Sequence, residues 1–292
     1  MKTSRSLGFT GKARARCLHR AALGQSTADG AVRTPRPTFL IQSIAGVIAI
    51  MLAGCATNSP KPAAQQAQTE SAPTTSHPVS TDILRAAAAQ PSHPFEGEGW
   101  VSFFDGKTLT GWRETDFAGH GEVECESGLI VLNMGDPLTG INWTNRVPNM
   151  SYEVALDAMR VTGSDFFCGL TVPVGDSFCT LIVGGWGGGL VGISSLDGMD
   201  ASENETTKFL NVEQGKWYRI RLRITQSRIE AWIDKEKFVN VDTTDKKISL
   251  RPGEIESSKP FGIASYQTTA ALREIKVRRV LAATDPLKKR SE

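Results

Sequence analysis

The chain has 292 residues, with 33 lysines and arginines against 31 aspartates and glutamates, which gives a net charge of +2. This length allows one or two domains, and the near-balanced charge argues against a nucleic-acid partner for the chain as a whole. The sequence has no P-loop, dinucleotide-binding fingerprint or G-x-S-x-G motif, and its histidines show no metal-binding spacing. Nucleotide, serine-hydrolase and histidine–zinc chemistries therefore have no support.

The first 54 residues are typical of an export signal. Basic side chains dominate before residue 38, where Asp29 is the only acid, and an apolar run follows from Phe39 to Gly54. A basic stretch, a short apolar stretch and small residues before a cysteine predict a signal peptide. The apolar run is short for a membrane span, although a signal anchor that stays uncut is the alternative.

The motif LAGC, residues 52–55, resembles the bacterial lipobox. The resemblance implies that residues 1–54 are removed and that Cys55 is lipidated and becomes the N-terminus. Two lipid chains or more would give stable anchoring, whereas one chain alone is marginal. Ala56 follows the cysteine, which resembles outer-membrane sorting, so we expect a lipid-anchored protein of the cell envelope.

Between the leader and the predicted domain lies a segment with almost no large apolar residue. Residues 56–96 are rich in Ala, Pro, Gln, Ser and Thr, a composition that cannot bury enough surface to fold. We interpret residues 55–96 as the lipidated cysteine and a disordered tether, with at most a short helix that starts near the N-cap residue Ser80. At the other end of the chain, residues 284–292 form a basic tail.

Residues 97–283 have the pattern of an all-β domain. Short runs of alternating apolar and polar residues are separated by Gly, Asn, Asp and Pro, and no long stretch has helical spacing. About a dozen strands in such a length predict a two-sheet antiparallel jelly-roll sandwich.

Two predicted hairpins have a definite register. A turn at Gln226-Ser227 sets Arg221 opposite Trp232 and Arg223 opposite Glu230, and it leaves the alternate apolar residues on one core face. We interpret the three arginines of this strand, which include Arg219 opposite Asp234, as structural ion-pair partners rather than an anion site.

The second hairpin turns at Gly175-Asp176 and directs Cys168 and Cys179 into the core. These two cysteines are four residues apart in register, which is too far for a disulfide. Buried thiols are therefore expected, although Cys125 could reach one of them.

A single indole lies among glycines in the sequence IVGGWGGGLVG at 182–192. Core strands are predicted on both sides, so residues 184–189 form a rim loop. Glycine lets that loop fold tightly and lets another molecule approach the backbone. Trp186 is then either a partly exposed platform for a sugar ring or a plug folded over the open end of the sandwich.

Acidic residues follow this loop after one short strand. Asp197, Asp200 and Glu203 recur at every third position and could converge on a sugar, as catalytic carboxylates, or on a divalent cation such as calcium. Asn204 lies among them as a candidate substrate-binding amide. A solvated polar loop is the alternative. Asn142 and Trp143 form a second polar–aromatic candidate for substrate binding.

Four segments carry a family resemblance that covers residues 97–281. FFDGKTLTGW at 103–112, EVECESGLIVLN at 122–133, GKWYRIRLRITQSRIEAWID at 215–234 and FGIASYQTTAALREIKVRRV at 261–280 are similar to motifs of the 3-keto-disaccharide hydrolase domain family. The resemblance implies a concanavalin-like jelly roll that cleaves modified glycosides. His120-Gly121 departs from the family pattern, as does the middle segment SDFFCGLTV, and no catalytic residues carry over from the motifs.

We therefore expect an envelope lipoprotein that binds and hydrolyses a 3-keto-disaccharide-like glycoside by acid–base chemistry. A non-catalytic carbohydrate-binding module of the lectin or laminin-G type is the first alternative, and an adhesion or scaffold protein is the second. The sequence leaves the metal requirement, the sugar and the oligomeric state open.

The lipobox generates the first testable prediction. Cys55→Ala removes the thiol that lipid transfer requires, so the variant should accumulate as an uncleaved precursor. Immunoblotting of membrane and soluble fractions, beside a Cys125→Ala control, measures this. Normal processing and fractionation of Cys55→Ala would show that the lipoprotein hypothesis is wrong.

Overall fold

A computed structural model describes residues 78–280. One helix, α1 (Pro78–Ala89), precedes fifteen strands, and a short 3₁₀ helix (Glu254–Ser258) follows the thirteenth. The strands are β1 (Val101–Ser102), β2 (Trp112–Glu114), β3 (Val123–Glu126), β4 (Leu129–Leu132), β5 (Leu138–Trp143), β6 (Tyr152–Gly163), β7 (Cys168–Val174), β8 (Ser177–Gly185), β9 (Leu190–Ser194), β10 (Lys208–Phe209), β11 (Trp217–Ile224), β12 (Arg228–Ile233), β13 (Glu236–Asp242), β14 (Gly262–Tyr266) and β15 (Thr268–Arg279).

The strands form two antiparallel sheets, which confirms the predicted jelly-roll sandwich. The eight-stranded sheet has the order β13-β12-β11-β6-β15-β4-β3, and β1 also pairs with β15. The seven-stranded sheet has the order β10-β9-β8-β7-β14-β5-β2. Alternate residues of each strand point between the sheets and make one large apolar core.

Both predicted hairpin registers are confirmed. Arg221 pairs with Trp232 across β11 and β12, and Val172 pairs with Cys179 across β7 and β8. Cys168 and Cys179 are buried in the core as free thiols. Burial raises the pKa of each thiol to about 12, so both stay protonated near neutral pH.

Two buried carboxylates anchor the outer face of the eight-stranded sheet. Glu153 lies 2.8 Å from Arg221 and 2.8 Å from Arg278, while Asp157 lies 3.0 Å from Arg219. The sequence predicted Glu230 and Asp234 as the acids opposite the arginines of β11. The structure instead supplies shorter ion pairs from β6, the strand on the other side of β11. The arginines are thus structural ion-pair partners, as expected, although their main acids differ.

The segment that precedes the sandwich covers this same face. The indole of Trp217 donates to the carbonyl of Ala87 in α1 at 3.3 Å, and Arg219 donates to the carbonyl of His93 at 2.5 Å. The Arg219 guanidinium also lies 4.3 Å from the ring centroid of Phe95. Residues 78–96 were predicted to belong to the tether, but in the structure they pack on the sheet because these residues supply apolar surface and carbonyl acceptors.

The remainder of the predicted tether, the leader with Cys55 and the basic tail from 284 onward lie outside the described residues. No helix between residues 78 and 280 combines the length and the hydropathy that crossing a membrane would require.

Glu153 generates the second prediction. Burial raises the pKa of this carboxyl, but Arg278, Arg223 and Arg221 outweigh that effect and hold the pKa below its ordinary value of 4.5. A lowered folded-state pKa stabilises the fold above the unfolded-state pKa, and this stability is lost as the pH falls through the folded-state value. Glu153→Gln leaves the arginines without their acid, so it should lower the unfolding free energy at pH 7 by about 2–4 kcal/mol. The loss is smaller than for a fully buried pair because the arginines are only partly buried.

The measurement is urea unfolding of wild type and Glu153→Gln between pH 7 and pH 3. The unfolding free energy of the wild type should exceed that of the variant at pH 7, and this difference should shrink as the pH falls below about 4.5. Glu236→Gln, an exposed change on the edge strand β13 of the same sheet, is the control and should unfold like wild type. An unchanged pH dependence in Glu153→Gln would contradict this role.

Candidate functional site

The outer face of the seven-stranded sheet carries a row of very small residues. Gly192 of β9 pairs with Ile182 of β8, which pairs with Gly169 of β7. The row continues through Ala264 and Gly140. These positions leave room for aromatic rings from the covering loops: a Cβ at Gly169 would lie 2.9 Å from the Phe166 ring, and a Cβ at Gly140 would lie 2.9 Å from the Phe117 ring.

A cavity of about 510 Å³ opens on this face, in the part that the loops do not cover. Thr180 and Ile182 form part of its floor because their neighbours Cys179 and Leu181 point into the core. The walls combine aromatic, charged and hydroxyl groups, supplied by Asp165, Phe166, Trp186, Ser194, Arg251, Glu254 and Tyr266. Such a mixture of apolar surface and a few converging polar groups is typical of a small-molecule site.

A second cavity, of about 470 Å³, lies at the far end of the sandwich. Loop residues such as Asn145 and Arg146 line it together with Pro173 and Phe178. No tryptophan or tyrosine contributes to that lining, so the first cavity is the better candidate for a saccharide.

Trp186 lies at the tip of the β8–β9 turn and lines the first cavity. Its side chain is 42% exposed, so the predicted partial exposure is observed, while its role as a saccharide platform stays a prediction. Its backbone has a φ of 47°, a left-handed conformation that is unusual for a bulky residue. Strain of this kind persists only where the surroundings enforce it, and it is common at functional sites.

The guanidinium of Arg160 enforces this turn from below. Its Nη2 donates to the carbonyl oxygens of Gly188, Asp165 and Gly184 at 2.8, 2.9 and 3.0 Å. A Cβ at Gly184 would lie 2.7 Å from Arg160 Nη2, and one at Gly188 would lie 3.2 Å from Nη1. Both residues have left-handed φ values, 85° and 112°, and a Cβ at Gly188 would lie 2.9 Å from the Ser164 carbonyl oxygen, so glycine is favoured at both positions of this loop.

Asp165 supports the same turn from the side. One carboxylate oxygen accepts from the Phe166 amide at 2.8 Å, and the other accepts from the Gly187 amide at 3.1 Å. This carboxylate thus holds the backbone next to Trp186 and also lines the cavity.

Arg251 connects the platform with the predicted acidic loop. Its guanidinium lies 5.8 Å from the Trp186 ring centroid, and its Nη1 lies 2.7 Å from Asp200 Oδ2. The other Asp200 oxygen accepts from the Ser194 hydroxyl, which also lines the cavity. Of the three predicted catalytic carboxylates, Asp200 is therefore the one that the structure brings to the cavity edge.

The other two predicted carboxylates do not join it. Asp197 accepts from the Lys247 amide at 2.8 Å and pairs with Lys246 at 3.3 Å, contacts that fix the pKa of its carboxyl below the usual value. Glu203 is exposed and does not line the cavity. Among residues 78–280, no three Asp, Glu, His or Cys side chains are grouped to hold a metal ion. The three acids therefore do not lie together among the described residues, and the possible divalent cation stays a prediction.

The predicted binding amide Asn204 supports the loop instead. It is buried, and its amide nitrogen donates to the carbonyls of Ile193 and Asp200 at 2.7 Å each. Its side-chain oxygen accepts from the amide and hydroxyl of Thr206 at 2.9 and 2.6 Å. These bonds use the hydrogen-bonding capacity of the amide to shape the loop.

Asn142 and Trp143 lie at the opposite end of β5 from the cavity residue Leu138. Asn142 is buried and donates to the carbonyls of Ser257 and Lys259 at 3.0 and 3.1 Å. Trp143 stacks on Phe103 with ring centroids 4.2 Å apart. The structure thus gives this predicted pair packing and loop-anchoring contacts away from the cavity.

Of the cavity residues, the sequence analysis singled out only Trp186; it did not identify the charged residues or the tyrosine of the lining, which are Asp165, Arg251, Glu254 and Tyr266. Arg251 lies in the loop before the 3₁₀ helix and Glu254 is the first residue of that helix, in the sequence RPGE, which has turn chemistry but no functional motif. Glu254 is exposed, and no described residue forms a hydrogen bond or ion pair with its carboxylate. Only its position in the cavity wall indicates that Glu254 could be functional, and that position is known only from the fold.

The fold and the cavity define an antiparallel β-sandwich domain with a candidate small-molecule site on the outer face of one sheet. The chain belongs to the family described as the 3-keto-alpha-glucoside-1,2-lyase-like domain, whose model matches residues 99–278. This match confirms the resemblance found in the sequence motifs. No curated protein sequence matches the chain significantly.

Solved structures with a similar fold include three carbohydrate-related proteins. A protein from Parabacteroides distasonis, provisionally described as a glycosyl hydrolase, has 17% identity and a TM-score of 0.42, with 63% of this chain and 95% of that chain covered. The Bacillus licheniformis β-glucanase has 11% identity and a TM-score of 0.41, with coverage of 64% and 100%. Domain 4 of the arabinanase AbnA from Geobacillus stearothermophilus, solved with arabinotriose, has 13% identity and a TM-score of 0.41, with coverage of 62% and 91%.

The exposure of Trp186 generates the third prediction. Because much of the indole is open to solvent, Trp186→Ala should change the free energy of unfolding by less than about 1 kcal/mol. Trp112→Ala is the matched comparison, because Trp112 is buried and its indole donates to the Phe103 carbonyl at 2.6 Å. That change should cost about 3–5 kcal/mol. Thermal and urea unfolding measure both, and an equal loss in the two variants would restore the plug interpretation.

Proposed function

We propose that the chain binds a 3-keto glucoside in the cavity beside Trp186 and cleaves its glycosidic bond. The observation that carries the proposal is the composition of the cavity wall: a half-exposed indole, a guanidinium and a carboxylate without a protein partner surround one apolar floor. Membership of a family described as 3-keto-alpha-glucoside-1,2-lyase-like supports the substrate class.

A carbonyl at C3 of a sugar acidifies the hydrogen on C2, which makes elimination possible. A base takes the C2 proton, the electron pair of that C–H bond forms the C1–C2 double bond, and the C1–O bond breaks. The leaving oxygen keeps the bond electrons and takes up a proton, so the products are an unsaturated 3-keto sugar and a free alcohol. Addition of water across the double bond would complete a net hydrolysis. The steps require a base, an acid and a positive group near the C3 oxygen.

Glu254 is our candidate for the base. Its carboxylate has no hydrogen-bond or ion-pair partner within residues 78–280 and lines the cavity, so its lone pairs are free to accept a proton. Asp165 is less suited, because both of its oxygens already accept backbone amides. Asp200 is likewise committed, to Arg251 and Ser194.

Arg251 and Tyr266 complete the proposed constellation. Arg251 supplies a fixed positive charge that would stabilise the oxyanion developing on the C3 oxygen, and Asp200 orients it. The Tyr266 hydroxyl lines the same cavity and would donate a proton to the leaving oxygen. The Trp186 indole would stack on the apolar face of the sugar ring and hold the substrate between these groups.

A non-catalytic carbohydrate-binding module is the second candidate. The separation of Asp197 and Glu203 from the cavity favours it, because a binding module needs aromatic and amide surface but no pair of carboxylates. Under both proposals the upstream sequence would place the domain at the cell envelope, through a lipid on Cys55 and the segment that follows.

The fourth prediction separates the two candidates. Glu254→Gln keeps the shape of the side chain but removes the base, so turnover of a 3-keto disaccharide should fall by about 10²–10⁴-fold while binding persists. Glu256→Gln is the matched control: Glu256 lies on the same 3₁₀ helix, pairs with Lys259 at 3.2 Å and does not line the cavity. Its activity should match wild type.

Two assays are required on the same preparations. Chromatography of 3-keto and unmodified disaccharides after incubation, with and without chelator, measures cleavage, and calorimetric titration measures binding. Trp186→Ala should weaken binding by about 1–2 kcal/mol. Wild-type binding without any cleavage would favour the binding module. Full activity in Glu254→Gln would exclude that residue as the base.

A further inference from the structure

The most exposed large apolar side chain among the described residues lies beside the proposed site. Phe209 of the edge strand β10 is 75% exposed. An isolated exposed phenylalanine on a sheet edge invites non-specific contact and is usually avoided. Phe209 is placed so that it could act together with Trp186 in binding a ligand.

The strand register places Phe209 on the same face as the cavity. Phe209 pairs with Leu190 of β9, and Leu190 packs with Phe166 and Ile182 on the outer face of the sheet. Side chains that are directly opposite in a sheet project to the same side. Lys208 projects the other way, since its ammonium lies 5.8 Å from the Phe238 ring centroid in the core.

The two exposed rings lie a short distance apart along this rim. Leu190 pairs with Gly185 on one side and with Phe209 on the other. Two strand spacings therefore separate Gly185, the neighbour of Trp186, from Phe209, which is roughly 9–10 Å. That spacing is comparable with the length of two sugar units.

The turn that leads from Trp186 toward β9 carries no side chains, because residues 187 to 189 are all glycine. Gly187 has open space where its Cβ would be, and a Cβ at Gly189 would lie 3.0 Å from the Leu210 carbonyl oxygen. The Leu210 amide also donates to the Gly189 carbonyl at 2.8 Å, which joins the loop to β10. Leu190, which lies between the two rings in register, is buried, so a ligand chain would pass over the glycines of the turn instead.

We propose that Phe209 is a second stacking platform and that the ligand is an oligosaccharide, or a glycoside extended by further sugars, rather than a bare disaccharide. One sugar occupies the cavity beside Trp186, the chain passes over Gly187 to Gly189, and an outer sugar stacks on Phe209. This inference rests on the proposed saccharide binding at the cavity and specifies the length of its substrate.

The fifth prediction compares ligands of increasing length. Calorimetric titration of the full chain with α-linked gluco-oligosaccharides of two, three and four units, in plain and 3-keto forms, measures the gain in affinity with length. Wild type should bind the longer ligands about fivefold more tightly than the disaccharide, the value expected for one stacking contact. Phe209→Ala should lose that gain and bind the disaccharide normally, whereas Phe209→Tyr should keep it.

Val101→Ala is the control, because Val101 is also exposed but pairs with β15 in the other sheet. A length dependence that survives in Phe209→Ala would overturn the inference and leave the proposed function intact. A change only in sedimentation behaviour would assign Phe209 to a contact between copies and overturn it as well. If no ligand binds and Trp186→Ala changes nothing, the proposed function fails and this inference fails with it.

Discussion

The candidate site depends on one buried cation. Arg160 projects from β6 of the eight-stranded sheet and donates to three carbonyls that belong to loops of the other sheet. A buried guanidinium is costly unless its donors are satisfied, and burial lowers the pKa of Arg160, which Asp165 partly offsets. Three carbonyls converge on its Nη2, and two of them belong to Gly184 and Gly188, whose left-handed φ values of 85° and 112° favour glycine. The glycines around Trp186 thus close the loop over Arg160, and the indole projects outward because the space below is filled.

The outer faces of the two sheets are covered in different ways. On the eight-stranded sheet, Glu153 and Asp157 gather arginines, and residues 78–96 cover the face with helix and carbonyls. On the seven-stranded sheet, the small residues of the strands let loops cover the face incompletely, and the cavity remains. Ion pairs and residues 78–96 cover the outer face of the eight-stranded sheet, whereas the outer face of the seven-stranded sheet keeps an open cavity.

The sequence determines local features of this molecule well. Alternation and turn residues were enough to place the Trp232 and Cys179 hairpins in register, because each hairpin is set by its own turn. The pairing of β11 with β6 joins residues more than sixty positions apart, and it decides that Glu153 rather than Glu230 is the main acid of the ladder. Local periodicity in the sequence does not show which distant strands pair. It also does not show that Arg251 and Glu254, which are far from Trp186 in the sequence, lie in the same cavity.

Asp197 and Asn204 lie away from the cavity for a common physical reason. Polar residues in a loop can serve the loop itself: Asp197 binds Lys246 and the Lys247 amide, and Asn204 binds neighbouring carbonyls. Only Asp200 reaches the cavity edge, and it does so through Arg251, whose charge it balances. A carboxylate whose oxygens are already occupied orients its partner, whereas one without a protein partner can exchange a proton. By that criterion Glu254 is the carboxylate that we propose as the base, and Asp200 of the acidic loop holds Arg251 beside Trp186.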